Sequence, residues 1–140
     1  MKNTKFYKAQ VNNRDFLLNG WGEIEEFGVW SIQEYAELGF KLEGEKNAKY
    51  SVILDGRAYL PQERKSTEIK LFVNDKFISN FIFTKPQAKI FIPIQAQDGI
   101  QNIRIKLQVI DPISPKSEGM SLDQRRLGFG LESISVEVDG

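Results

Sequence analysis

Apolar residues recur along this chain mainly at every second position, the spacing of a strand with one face buried and one face wet. The stretch YAELGFKL puts Ala36, Leu38, Phe40 and Leu42 on one side, and AKYSVILDG does the same with Tyr50, Val52 and Leu54. EIKLFVN sets Ile69, Leu71 and Val73 against Lys70 and Phe72. IRIKLQV sets Ile103, Ile105, Leu107 and Val109 against Arg104, Lys106 and Gln108. Such strict alternation predicts half-buried strands of an antiparallel sheet. KFISNFIFT and KIFIPI add two β-rich runs, and LESISVEV closes the chain with Ile134, Val136 and Val138 on one face.

Turn chemistry agrees with this reading. Asn74 and Asp75 follow one alternating run and precede another, and both tolerate positive φ, so 73–76 predicts a tight hairpin. Pro93 has no N–H to give to a ladder, which predicts an edge strand or a bulge for KIFIPI. The nearest helical candidate, SIQEYAEL, runs directly into the alternation of AELGFKL. Eight or so short strands in one domain spanning 1–140, which a larger protein can also contain, predict an all-β fold: an antiparallel β-sandwich of jelly-roll, galactose-binding-like type. An up-and-down barrel is the alternative.

Composition narrows the chemistry. The 140 residues hold 19 basic and 19 acidic side chains, so no net field favours nucleic acid or an anionic membrane as partner. Cys and His are both absent. Disulfides, thiolate nucleophiles, His-based triads and His- or Cys-ligated zinc are therefore excluded. The segment MKNTKFYKAQ has no apolar core of signal-peptide length, and no run reaches the ~20 apolar residues of a membrane span, so the expected setting is cytoplasmic without membrane insertion.

Two stretches break the alternation. GWGEIEEFGVWS, residues 20–31, reads as neither strand nor helix. DPISPKSEGMSLDQRRLGFG, residues 111–130, is rich in Pro and Gly and carries Asp123, Arg125 and Arg126. In a jelly-roll topology the first and last strands pair, which brings both stretches to one end of the sandwich. Glu23, Glu25 and Glu26 would then oppose Arg125 and Arg126, with Trp21 and Trp30 nearby.

These residues also carry a family resemblance. The spaced pattern Gly-Trp-Ser-x-Pro-Glu-x-Trp-Gly-x-Trp-Ser, followed by Asp-Pro-x-Ser-Pro-x-x-x-Gly-x-Ser-x-Asp-x-Arg-x-Leu-Gly, is similar to a β-domain attached to bacterial glycosyltransferases and other surface-polysaccharide proteins. Here it is matched by Gly20, Trp21, Glu25, Gly28, Trp30 and Ser31, and by Asp111, Pro112, Ser114, Pro115, Gly119, Ser121, Asp123, Arg125, Leu127 and Gly128. Gly22, Ile24 and Phe27 depart from it, standing where the pattern has Ser, Pro and Trp. The resemblance implies an accessory β-sandwich in glycan assembly that binds a glycan or oligosaccharide and works with a glycosyltransferase domain in cis or in trans.

Each candidate side chain has a structural reading beside the functional one. Trp21 and Trp30 can stack on the C–H face of a pyranose or plug the end of the sandwich; the core reading is favoured for Trp30, and Trp21, flanked by glycines, is the better ligand candidate. Arg125 with Glu25 or Asp123 can hold sugar hydroxyls or form an ion pair between the loops, with the pair favoured; Arg126 is expected to be exposed. Glu23, Glu25 and Glu26 contain a conceivable acid/base pair for a hydrolase free of His and Cys, but exposed loop glutamates are more often solvated. No cofactor is expected; calcium is a weaker candidate on Asp111 or Asp123 with loop carbonyls, and no Asp-x-Asp spacing backs it. GFG, residues 128–130, leads into a strand and lacks the Lys of a phosphate loop. Two functions follow: a non-catalytic carbohydrate-binding accessory module, or a structural domain that docks on a glycosyltransferase through an exposed strand residue such as Phe72.

Overall fold

A computed structural model describes residues 7–10, 16–25, 27–44, 49–58, 60, 66–95, 99–110 and 128–139. They contain ten strands: β1 (Tyr7–Gln10), β2 (Trp21–Ile24), β3 (Val29–Ser31), β4 (Tyr35–Gly44), β5 (Lys49–Ala58), β6 (Thr67–Val73), β7 (Lys76–Phe83), β8 (Gln87–Gln95), β9 (Gly99–Val109) and β10 (Phe129–Asp139). All pairings are antiparallel. One sheet has the order β2-β3-β10-β5-β8, with β1 also paired to β10; the other has the order β4-β9-β6-β7.

Successive strands alternate between the sheets except at the β2–β3 and β6–β7 hairpins and at β1–β2, which stay in one sheet. That crossing pattern makes a jelly-roll-type sandwich and rules out the up-and-down barrel, in which neighbours in sequence would be neighbours in one closed sheet. The first strand does lie against the last: Tyr7 faces Val136 and Gln10 faces Ser133.

The faces follow the alternation. Ala36, Leu38, Ile69, Leu71, Ile105 and Leu107 from one sheet meet Val52, Leu54, Ile90, Ile92, Leu131 and Ile134 from the other, all buried. Phe83 and Phe129 pack together at one end of the core, their ring centroids 5.7 Å apart, and Phe16 is buried beside the Leu17–Leu38 bridge. Phe40 and Val73 are only partly buried, because they lie toward the rim of this core. The hairpin at 73–76 forms as expected, with φ of 48° at Asn74 and 69° at Asp75. Pro93 lies on β8, an edge strand, where a missing N–H costs least.

The stretch 20–31 is where the sequence reading and the structure part. It forms two short strands, β2 and β3, joined by a tight turn in which Glu25 N–H donates to the Gly28 carbonyl (2.7 Å) and Gly28 N–H donates to the Glu25 carbonyl (3.2 Å). The alternation is obscured because the ladder slips between Trp21 and Ile24. Gly28 has φ of 153°, and a side chain there would collide with the carbonyl of Leu131 on β10.

Ser31 is fully buried, and its Oγ accepts a hydrogen bond from the Phe129 N–H at 3.0 Å. This bond ties β3 to the first residue of the last strand. Ser31→Ala is expected to strand that N–H in the core and to lower stability by about 1–3 kcal/mol, read as a drop in the urea midpoint at unchanged m-value.

Candidate functional site

The two tryptophans lie on opposite faces of the same sheet. Trp21 pairs with Ser31, and both face the core, so Trp30, one residue from Ser31, faces out. Trp21 is 7% exposed. Its indole N–H donates to the carbonyl of Glu37 on β4 at 2.8 Å, and its ring meets Phe129 edge-on at 6.5 Å. Trp30 is half-buried, packed at 5.1 Å against Phe27. The expected roles are therefore exchanged: Trp21 plugs the sandwich and Trp30 is presented outward. The reason is parity, since Val29 and Ser31 take the two inward positions of β3.

Register then builds a row across four strands. Trp30 is opposite Gly130, Gly130 opposite Arg57, and Arg57 opposite Gln87. Gly130 is the gap in that row. A Cβ on it would lie 2.8 Å from the Phe27 ring, 2.9 Å from Arg57 Cγ and 3.0 Å from the Trp30 ring. The Phe27 ring occupies the space a side chain at 130 would need.

Arg57 packs on this ring as well. Its guanidinium carbon is 4.2 Å from the Phe27 centroid, and one terminal nitrogen donates to Glu132 Oε1 at 3.0 Å. Arg57 Nε is buried with no hydrogen-bond partner among the described residues, and the adjacent π face is the compensation at hand. The order Trp30, Phe27, Arg57, Glu132 is thus a continuous stack on the outer face.

Beyond Trp30 and Arg57 the surface opens into a cavity of about 660 Å³, lined also by Ala58, Leu60, Lys85, Pro86 and Gln87. The Ala58 N–H donates to the Pro86 carbonyl at 3.0 Å, which holds the β5 and β8 walls together. The cavity offers an aromatic flank, apolar walls and convergent donors on Arg57, Lys85 and Gln87. That mixture matches a small polar ligand with apolar C–H faces.

The other candidates distribute as follows. Glu23 and Glu25 are exposed beside the β2–β3 turn. Glu26, Asp111, Asp123, Arg125 and Arg126 lie outside the described residues, and with them the expected pairing of Glu25 with Arg125. Among the described residues, a separate ion pair at this end joins Arg57 to Glu132. Neither was singled out in the sequence; Gly56 and Gly130 inside strands were the available signal, because a strand glycine marks close approach of its neighbours. Among the described residues no group of three Asp or Glu side chains is placed to hold a metal. The acidic residues expected to bind calcium are not among those described.

No protein-family model and no curated protein matches the chain. Its fold is similar to solved structures. The CBM36-1 domain of a multidomain xylanase from the hindgut metagenome of Trinervitermes trinervoides superposes with TM-score 0.61 at 13% identity, over 97% of this chain and 99% of that one. A Podospora anserina GH26-CBM35 β-(1,4)-mannanase gives TM-score 0.61 at 10% identity, over 99% of this chain and 28% of that one. The carbohydrate-binding module CBM36 in complex with calcium and xylotriose gives 0.54 at 12%, over 93% and 98%. At these identities the likeness establishes the fold: an antiparallel β-sandwich of the jelly-roll type.

Opposite placement of the indoles separates their roles in stability. Trp21→Ala is expected to cost about 3–5 kcal/mol, and Trp30→Ala about 1 kcal/mol, in denaturant unfolding. Gly130→Val should displace Phe27 and cost about 1–3 kcal/mol by overpacking, with a change in the near-ultraviolet signal of the Phe27–Trp30 pair.

Proposed function

We propose that this domain is a non-catalytic carbohydrate-binding module whose ligand contacts Trp30. The observation that carries the reading is the outward indole, backed by Phe27 and set beside Arg57, Gln87 and Lys85 in an open cavity. A flat aromatic face suits the C–H face of a pyranose, and guanidinium, amide and ammonium groups suit its hydroxyls. The likeness in fold to CBM35 and CBM36 domains supports the same class of ligand. Of the residues expected to bind from the sequence, Trp30 keeps a ligand role in this reading and Trp21 becomes the core residue behind it.

The finer reading places the module beside a cytoplasmic glycosyltransferase of surface-polysaccharide assembly, in line with the two spaced motifs. There a weak site suffices: tethering raises the local ligand concentration to the millimolar range, so modest affinity per site retains the growing chain. Calcium enters only as an addition to this reading, prompted by the CBM36 complex, and no step depends on it.

Docking on a transferase has an observation of its own. Phe72, half-buried on the outer face of β6, meets Phe77 edge-on at 5.7 Å, and Phe77 is 52% exposed. Phe77 is therefore the better probe of that surface. Phe77→Ser should abolish co-elution with a partner transferase domain if docking uses this pair, and leave it unchanged if docking does not.

Glycan binding is tested by amide and indole NMR during titration with xylotriose, mannotriose and bacterial surface oligosaccharides. The expected result is a shift of the Trp30 indole with the Trp21 indole still, and at least a tenfold loss of affinity in Trp30→Ala. A Trp30 resonance that stays fixed across the panel overturns the reading. Repeating the titration with added calcium and then with a chelator decides whether a metal contributes.

A further inference from the structure

The second sheet carries a separate groove that the Trp30 reading does not use. It lies on the outer face of β4 and β9, beside the β6–β7 turn, with a volume of about 600 Å³. Strand direction puts it at the other end of the sandwich. β6 starts at Thr67 opposite Phe83, whose ring packs on Phe129 beside Ala58 at the end of β5, and it runs away from that end to Val73, before the Asn74–Asp75 turn. The two cavities are thus on opposite faces and at opposite ends.

Register explains why this groove exists. Gly39 faces Arg104, and Lys41 faces Asn102, so these four positions share the outward face in adjacent rows. Gly39 supplies the hollow. Leu18, 47% exposed, leans over it and forms an apolar wall; a Cβ on Gly39 would lie 2.9 Å from Leu18 Cδ1. The opposite rim is the Asn74–Asp75 turn, fastened to β9 twice: Asn74 N–H donates to the Arg104 carbonyl, and Arg104 N–H donates to Asn74 Oδ1, each at 2.8 Å.

The charges on this rim are arranged in advance of any ligand. The Arg104 guanidinium is paired with Asp75, and its Nε lies 3.8 Å from Glu37. Glu37 and Asp75 orient the fork, and Asp75 is shared with Lys106, whose Nζ lies 3.9 Å from it, so the carboxylates offset part of the positive charge on this rim. What remains is a set of hydrogen-bonding groups on Arg104, Asn102, Asn74 and Lys41 around a shallow apolar seat. A fixed rim loses little entropy on binding, and its amides can both donate to and accept from hydroxyls.

We propose that this groove is a second saccharide-binding site, independent of the one at Trp30. The proposal rests on the reading of the domain as a carbohydrate-binding module and extends it. Because the two sites face away from each other, one short oligosaccharide cannot fill both. The module instead bridges two glycan chains, or two distant segments of one, so that its retention on a polymer exceeds the affinity of either site.

The test is an NMR titration of three proteins, the unaltered domain, Trp30→Ala and Asn102→Ala, with xylotriose, mannotriose and bacterial surface oligosaccharides as probes. Asn102 lies on the exposed face and is not part of the turn lock, so its truncation spares the fold. In Trp30→Ala the side-chain amides of Asn74 and Asn102 are expected to shift with an affinity within about threefold of the unaltered domain. In Asn102→Ala the response at Asn74 should weaken at least tenfold while the Trp30 indole still responds. Shifts at Trp30 without shifts at Asn74 or Asn102 overturn the second site and leave the first. Shifts at Asn74 and Asn102 with a silent Trp30 keep the second site and overturn the first, and silence at both overturns both.

Discussion

The hydrogen bond from the Trp21 indole to the Glu37 carbonyl joins the two sheets at the end of the sandwich where the candidate site lies. The same carbonyl accepts from the Leu18 N–H, and the Glu37 N–H donates to the Asn19 carbonyl, so the chain ahead of β2 is stitched to β4 in passing. A ring that must reach across the core to a fixed acceptor sets the parity of β2. Parity of β2 sets that of β3 through the Trp21–Ser31 pair, and this in turn turns Trp30 outward. The presented surface is thus a consequence of how the end of the core is closed.

The same end shows how an outward surface is shaped by absences as well as side chains. Gly130 interrupts a row of outward residues on the sheet, and the rings of Phe27 and Trp30 come together over the gap. Arg57, held at its tip by Glu132 and along its plane by Phe27, cannot swing freely. An aromatic group and a cation in fixed relation are better prepared for a ligand than the same groups on a loop. This places the favourable elements on strands, with register doing the positioning.

Much of the fold was legible because strand alternation is local. Ala36, Leu38, Tyr50, Val52, Ile69, Leu71 and the Ile103 to Val109 series face inward as their spacing implies, the Asn74–Asp75 turn forms, and Pro93 is on an edge. The site was less legible. Which of two tryptophans is buried depends on a ladder slip between Trp21 and Ile24, and no composition rule encodes that. Large size argues for burying Trp30, yet pairing with the inward Trp21 puts small Ser31 on the core face, where its hydroxyl accepts from the Phe129 N–H. Arg57 and Glu132 are 75 positions apart and meet only through the pairing of β5 with β10.

That pairing also bears on how the chain reaches its native state. β10 is the last strand in sequence, yet it is interior to its sheet, with β5 on one side and β3 and β1 on the other. Until it inserts, β5 is an edge with an apolar inner face, and β1 and β3 have no partner in common. Nearly every stabilising pair in that sheet spans a long stretch of chain, which makes loop closure costly and folding slow relative to helical domains of this size. During synthesis the domain can commit to its final structure only after its closing residues have left the ribosome, and before then the open flank of β5 is the surface most in need of protection from other chains.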